Sequence, residues 1–216
     1  MTHATWPLFD LRLTGAGVVL RPMVESDLGT VAEILPDDLE LNPAGTTYPD
    51  LDIATGRRVV AHQEYWQGWG RWSIGSWLLR FVVEVDGRIV GTQTLEGDDF
   101  PMLRTVDSAS WLAPEIRGRG VGKAMRTAVL ALAFGPLEAQ SAITAAWDDN
   151  HASLGVSRSI GYKPNGQYRH RRDGRDGDGV GSMVHLRLTR EDWLSSGAGE
   201  GARITGFEAC RPYFGV

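Results

Sequence analysis

The sequence predicts a single-domain fold of mixed α and β structure, in the α/β (α+β) class. A β-hairpin is indicated where β-branched and aromatic residues from 77 to 85 and from 88 to 95 flank the turn dipeptide Asp86-Gly87. Downstream of the hairpin, strand-like segments alternate with segments of helical periodicity. A last pair of strand-like segments follows, so sheet and helices share one chain of 216 residues.

The other elements follow from local patterns. Apolar residues at helical spacing behind capping residues predict helices over 28–35, 55–72, 120–134 and 150–160, the last one ending at Gly161. Short apolar runs predict strands at 18–21, 106–112 and 141–147, and an antiparallel pair at 163–172 and 183–188. Proline and glycine predict loops over 36–50 and 173–181. We expect one domain over residues 1–194 and an irregular, loosely held tail over 195–216.

Composition excludes several classes of function. The net charge of −5 and pI near 5.5 argue against a protein that neutralises many phosphates, so no nucleic-acid partner is expected. No apolar run is long enough for a membrane span and the first ten residues lack a signal-peptide pattern, which favours a cytoplasmic protein with no membrane partner. Cys210 is the single cysteine, and no Cys/His spacing suits zinc, so no metal is expected.

The strongest chemical motif is R-x-x-G-x-G over Arg117–Gly122, between a predicted strand and a predicted helix. Unpaired N–H groups and the positive dipole end make a helix N-terminus an anion site, and glycines let a phosphate approach the backbone. A glycine-rich connection with a basic rim is the alternative, since the string also occurs at Arg12–Gly17, where it leads into a strand. The motif lacks the G-K-[ST] of a P-loop and the G-x-G-x-x-G of a Rossmann fold.

Further motifs follow in order: Trp111-Leu112-Ala113-Pro114-Glu115 before the glycine string, then Asn150-x-x-Ser153 and Gly161-Tyr162. With Leu20-Arg21-Pro22 and Asp27 near the start, this series resembles the GNAT superfamily of N-acetyltransferases, in particular its RimJ/RimL-like branch, over residues 11–194. The resemblance implies a mostly antiparallel central sheet with helices on both faces and splayed central strands.

The resemblance also implies acetyl-CoA as the acetyl donor, bound between the strands at 106–112 and 141–147. Its pantetheine arm would lie along Trp111, Leu112 and Ala113, with hydrogen bonds from Asn150 and Ser153. Its pyrophosphate would bind the segment made of Arg117, Gly118, Arg119, Gly120, Val121, Gly122 and Lys123.

Catalysis in this superfamily is usually direct attack of an amine on the thioester, so Cys210 is not needed as a nucleophile. Ser157 stands where many members carry a tyrosine that protonates the departing thiolate. Serine is a weaker acid, so it would either donate through a water or only hydrogen-bond the sulfur; a plain helix-face serine is the alternative. Asp107 is the candidate general base, with a structural strand-edge carboxylate as the alternative and His62, Glu64 or a water chain as rivals.

Trp66, Trp69 and Trp72 recur at three-residue steps on the helix before the hairpin. In the family scheme this helix lines the acceptor side, so the three rings could form an aromatic wall for an apolar substrate; core packing is the other interpretation.

Two hypotheses for the function follow. The first is an acetyl-CoA-dependent N-acetyltransferase acting on a small-molecule amine or a protein N-terminus. Dimers are common among its relatives, so a homodimer is one expectation for its oligomeric state. The second is a non-catalytic acyl-CoA-binding or sensing domain, because the usual tyrosine is missing.

Overall fold

A single mixed sheet carries helices on both of its faces. A computed structural model describes residues 5–39, 48–174 and 177–216, and within these ranges the sheet has ten strands. The strands are β1 (Arg12–Gly15), β2 (Val18–Pro22), β3 (Trp77–Val85), β4 (Arg88–Gly97), β5 (Thr105–Asp107), β6 (Ser110–Leu112), β7 (Ser141–Trp147), β8 (Lys163–Gly174), β9 (Gly177–Thr189) and β10 (Arg203–Thr205).

The sheet order is β10-β1-β2-β3-β4-β5-β7-β9-β8, with β6 paired to β4. Among the described strands only β5 and β7 pair in parallel, and every other pairing is antiparallel. The predicted mixed, mostly antiparallel sheet is therefore confirmed. In the β3–β4 hairpin, Asp86 and Gly87 both have positive φ, 50° and 73°, as a two-residue turn of type I′ requires.

The helices of the described chain are α1 (Leu28–Glu33), α2 (Ile53–Gly70), α3 (Phe100–Leu103), α4 (Val121–Phe134), α5 (His151–Ile160), α6 (Arg190–Ser196) and α7 (Phe207–Cys210). The main core lies on the face covered by α4 and α5, where Leu79, Phe81 and Val129 are fully buried. A smaller cluster on the other face joins α1 and α2 to the sheet through Leu28, Tyr65 and Val82. The two clusters confirm helices on both faces.

The C-terminal segment differs from the expected loose tail. β10 pairs with β1, and Phe207, Cys210 and Phe214 are 4%, 0% and 0% exposed within the main core. The small polar stretch before β10 suggested loose attachment, but the apolar residues that follow it supply enough buried surface to fix the segment.

Two other boundaries also differ from the predictions. The predicted loop at 173–181 belongs largely to strands β8 and β9, because backbone pairing with a neighbouring strand outweighs the weak strand propensity of glycine and aspartate. The predicted strand at 106–112 is two short strands, β5 and β6. Of the predicted loop at 36–50, residues 40–47 lie outside the described ranges.

Candidate active site

Strands β5 and β7 run side by side and then separate. Three register pairs, the last at Asp107, join β5 to β7. After Ser108 and Ala109 the strand continues as β6, which pairs with β4 alone. The Ala109 carbonyl accepts hydrogen bonds from the Thr94 N–H (2.8 Å) and Gln93 Nε2 (3.0 Å), so β4 fixes this interruption. The resulting opening between β6 and β7, the β6–β7 gap, confirms the splayed central strands.

A glycine turn joins β6 to α4. Gly118 and Gly120 have φ of 76° and 84°, and Gly120 is the residue that immediately precedes α4. Other residues rarely adopt these angles, which accounts for glycine at both positions. The first intrahelical bond is that from the Ala124 N–H to the Gly120 carbonyl (3.0 Å), so the N–H groups of Val121 to Lys123 precede the hydrogen-bonded ladder. The strand, glycine turn and helix N-terminus therefore follow one another as predicted.

The basic side chains of the turn are not equivalent. Arg117 donates two hydrogen bonds to the Asp38 carboxylate (2.6 and 2.8 Å) and one from Nε to the Leu112 carbonyl (3.1 Å). The hydrogen bonds to Asp38 raise the pKa of Arg117. Arg119 and Lys123 are exposed and form no ion pair with any described residue. The charge of Arg117 is thus partly compensated, whereas that of Arg119 and Lys123 is available to an anion.

Helix α5 follows β7 and lies beside α4 on the main-core face of the sheet. Its cap is Asn150, whose Oδ1 accepts a hydrogen bond from the Ser153 N–H (3.0 Å). Ser157 is 1% exposed and its hydroxyl donates to the Ser153 carbonyl at 3.1 Å. The Ser157 proton is therefore engaged with the backbone of its own helix, as in the plain helix-face interpretation.

A cavity of about 870 Å³ lies between α1–α2 and the sheet. The end of the β6–β7 gap opens into it, because Asp107, Ala109, Ser110, Trp111 and Ile143 all line it. The α2 residues in its wall are Arg57, Val60, Ala61, Glu64, Gln67 and Gly68.

Neither Trp66 and Trp69 of α2 nor Trp72, two residues beyond its end, lines this cavity, so the cavity gives no support to the predicted aromatic wall. Trp66 is 52% exposed and contacts His62, whereas Trp69 and Trp72 stack on each other and pack against the main core. Trp72 also donates from Nε1 to the Tyr213 carbonyl at 3.0 Å. Three-residue spacing places side chains near one face of a helix. Here Trp69 and Trp72 pack against Trp6 of the N-terminal segment, and other residues of α2 line the cavity.

Two carboxylates face each other in the cavity wall. Glu96 of β4 and Asp107 of β5 are register partners, and neither forms an ion pair with a described residue. Burial raises the pKa of both, and the negative charge of Asp107 raises that of Glu96 further. Asp107 Oδ1 accepts a hydrogen bond from the Ser108 N–H at 2.6 Å, which opposes the effect of burial. The predicted candidate base thus lies in the cavity, opposite a second carboxylate.

Arg80 supplies positive charge to the same wall. Its Nη2 donates to Glu64 at 3.3 Å, and its buried Nε has no hydrogen-bond partner among the described atoms. Burial lowers its pKa. The two alternative candidates for the base differ in position. Glu64 lines the cavity and is paired with Arg80, whereas His62 contacts Trp66 and does not line the cavity.

Cys210 lies in the core between the termini. It is fully buried, and burial raises its pKa to about 11. The thiolate is the nucleophilic form, so this environment suits packing rather than nucleophilic chemistry.

Sequence reasoning missed Glu96 and Arg80. The polar alternation of Thr92, Thr94 and Glu96 on β4 was visible, but the predicted strand ended at Leu95. That alternation places all three side chains on one face, which is the face that lines the cavity.

The site thus combines a split sheet, a glycine turn at a helix N-terminus and a cavity beside the split. A family model described as an acetyltransferase (GNAT) domain matches residues 18–163. The chain belongs to this family and is an acetyl-CoA-dependent N-acetyltransferase by class.

Solved structures share the fold. RimJ from Mycobacterium smegmatis, in complex with CoA-disulfide, is 19% identical with a TM-score of 0.64; the match covers 91% of this chain and 98% of that one. Mutant forms of the spermidine/spermine N-acetyltransferase SpeG from Vibrio cholerae are 15% identical with a TM-score of 0.63, covering 83% of this chain and 98% of that one. Across residues 5–39, 48–174 and 177–216, no helix has the length and apolar character needed to cross a membrane.

Proposed function

We propose that this protein transfers the acetyl group of acetyl-CoA to a primary amine bound in the cavity between α1–α2 and the sheet. One observation carries the proposal: the β6–β7 gap leads from the glycine turn before α4 into a cavity walled by Glu96 and Asp107. A thioester in the gap and an amine in the cavity would meet where the two spaces join.

The glycine turn supports the cofactor end of this arrangement. The N–H groups from Gly118 to Lys123 would bind the diphosphate, with Arg119 and Lys123 adding charge. The pantetheine arm would lie along Trp111 to Ala113 on the open side of β6, as an additional strand. Asn150 and Ser153 would be its partners on α5, although the Asn150 oxygen already caps that helix.

The reaction would proceed in a ternary complex without an acyl-enzyme. The neutral amine nitrogen forms a bond to the thioester carbon while the carbonyl π electrons move to oxygen. When the carbonyl re-forms, the C–S bond breaks and the thiolate leaves with the electron pair. Asp107 would take a proton from the amine, since its raised pKa brings it closer to working pH. Ser157 would hydrogen-bond the departing sulfur, or pass it a proton from a water, only after its hydroxyl turns away from the Ser153 carbonyl.

The cavity favours a small-molecule amine as the acceptor. Glu96 and Asp107 can accept hydrogen bonds from an ammonium group and hold it until a proton is lost. Glu64 and Arg80 form an ion pair, whereas Glu96, Asp107 and Asp98, which also line the cavity, form none with a described residue. A compact amine that reaches Glu96 and Asp107 from the cavity mouth fits both the volume and the charge.

Thiol release from acetyl-CoA tests this function. Purified protein should release free thiol in the presence of one or more amines from a panel of polyamines, amino-sugar amines and N-terminal peptides, and Asp107→Asn should slow the release. Thiol release with peptides alone would place the acceptor among protein N-termini. Binding of acetyl-CoA without turnover on any amine would instead indicate the sensing domain, which family membership does not favour.

A further inference from the structure

A second group of polar side chains lies on the α4 side of the β6–β7 gap. Arg126, in the second turn of α4, is 3% exposed. Its Nη1 donates to Thr144 Oγ1 on β7 and its Nη2 to Ser110 Oγ on β6, both at 3.3 Å. Thr144 Oγ1 in turn donates to the Ser108 carbonyl at 3.1 Å. The guanidinium therefore bridges the two strands at the level where they separate.

Three donors in this group have no acceptor. Arg126 Nε, Ser108 Oγ and Tyr162 OH are buried and make no hydrogen bond within the described chain. Ser108 and Tyr162 are 4% and 3% exposed. Tyr162 is close enough to both other groups for them to lower its pKa against the effect of burial, yet none of the pairs reaches hydrogen-bond geometry. Buried polar groups are almost always satisfied by protein, water or a ligand, so these three donors are available to an acceptor atom that reaches them.

The charge of the group points in the same direction. Arg126 forms no ion pair with a described carboxylate, and its other partners are neutral hydroxyls. Its charge lowers the pKa of Asp107, which shows that it is felt at the cavity wall. A buried cation without a carboxylate favours an oxygen that gains negative charge.

We propose that Arg126, Ser108 and Tyr162 form the site that receives the thioester carbonyl oxygen and stabilises it as it becomes an oxyanion. The inference rests on the proposed function, which places the thioester in the β6–β7 gap. Ser110 connects the two sites, because it bonds to Arg126 and also lines the acceptor cavity.

The chemistry needs no group beyond those described. As the amine nitrogen bonds to the carbonyl carbon, the π electrons move to the oxygen, and the three donors share their hydrogens with it. When the C–S bond breaks, the electrons return to re-form the carbonyl and the donors keep their protons. Burial raises the pKa of Tyr162, so the phenol stays protonated and remains a donor. Donors fixed before the reaction reorganise little as the charge appears, which is why such sites accelerate acyl transfer.

Steady-state kinetics with acetyl-CoA and an active amine provide the first test. Arg126→Met should lower kcat by about 100- to 1,000-fold while leaving the KM for acetyl-CoA within about threefold. Arg126→Lys should restore part of the loss by returning the charge. Tyr162→Phe should lower kcat by about 10-fold, the loss of one neutral hydrogen bond. Arg158→Met, which removes an exposed arginine from α5, is the matched control and should leave kcat unchanged.

A binding experiment tests the same site without turnover. S-ethyl-coenzyme A keeps the sulfur and both carbons of the acetyl thioester but lacks the carbonyl oxygen. In calorimetry the wild type should bind acetyl-CoA about 5-fold more tightly than the thioether, and Ser108→Ala and Tyr162→Phe should reduce this preference. If the wild type binds but acetylates no amine, the proposed function fails, while this comparison still reports on the oxygen site.

The inference is wrong if the wild type binds the two compounds equally. It is also wrong if the Arg126→Met variant folds, keeps kcat within twofold of the wild type and loses only thermal stability. If Arg126→Met does not fold, the same outcome in Ser108→Ala and Tyr162→Phe would overturn the inference. The cluster would then be a structural one, satisfied by a buried water.

Discussion

Glu96 and Asp107 lie directly opposite each other on β4 and β5, in the wall of the cavity beside the strand split. Directly opposite side chains in an antiparallel pair have Cβ atoms about 5 Å apart, a distance at which like charges destabilise each other. Burial raises the pKa of both carboxyl groups. The pair is therefore a costly arrangement that an ammonium group would relieve, and functional sites are where such arrangements concentrate.

The first prediction concerns the pH dependence of acetyl transfer. If Asp107 is the base, as proposed, it acts in its deprotonated form. Because its pKa is raised, kcat should then fall with decreasing pH sooner than it would with an ordinary aspartate. Asp107→Asn should lower kcat by about 100-fold and flatten this acidic limb. A pH–rate profile of both proteins checks it, and an unchanged limb in the variant would assign the base to another group.

The second prediction concerns stability. The folded protein holds the Glu96 proton more tightly than the unfolded chain does, so stability is lost as pH rises through the raised pKa. Glu96→Gln removes this loss, and its Tm should exceed that of the wild type at pH 8 and approach it at pH 4. Thermal melts at the two pH values measure the difference. A variant less stable than the wild type at pH 8 would mean that the carboxylate has a stabilising partner.

The third prediction concerns the glycine turn. Gly120 has φ of 84° with open space around it, so a side chain there is disfavoured by the backbone angle rather than by a clash. Gly120→Val should shift the first turn of α4 and weaken acetyl-CoA binding by at least about 10-fold, since the N–H groups no longer point together. Calorimetry measures the affinity. Gly56→Ala, within α2, should bind acetyl-CoA as the wild type does.

The fourth prediction concerns Arg117, whose guanidinium is shared with Asp38. Both side chains are substantially exposed, 40% and 60%, so the pair contributes little stability, about 0–1 kcal/mol. Asp38→Asn should leave the Tm nearly unchanged and tighten acetyl-CoA binding by about 2- to 5-fold at low salt, because the released charge can reach the diphosphate. Titrations at low and high salt check this; weaker binding in the variant would show that Asp38 instead orients Arg117 for the ligand.

The fifth prediction concerns Cys210. A buried thiol with a pKa of about 11 reacts slowly, so iodoacetamide at neutral pH should neither label the folded protein nor inhibit it. Mass spectrometry should detect the adduct only after denaturation. Rapid labelling of the native protein would mean that the segment from β10 to α7 detaches from the core.

The elements with strong local patterns were predictable. Helices α2, α4 and α5 and the β3–β4 hairpin follow from apolar periodicity, caps and the Asp86-Gly87 turn, and the glycine string marked the start of α4. These signals are local, so they survive in the folded chain.

What the sequence concealed depends on tertiary contacts. The strand is interrupted between β5 and β6, where Gln93 and Thr94 of β4 donate hydrogen bonds to the Ala109 carbonyl. No local sequence pattern predicts these bonds. The tryptophan stripe on α2 indicated a buried face but not which neighbour would cover it. No sequence motif singles out Arg126, and only packing under the strand split makes it a buried cation.

A crystal structure with acetyl-CoA bound is the most direct measurement. The proposed function predicts the diphosphate on the N–H groups from Gly118 to Lys123 and the thioester between β6 and β7, with the acetyl group facing the cavity that holds Asp107. A cofactor bound elsewhere, with the turn before α4 unoccupied and Arg117 still paired to Asp38, would contradict it.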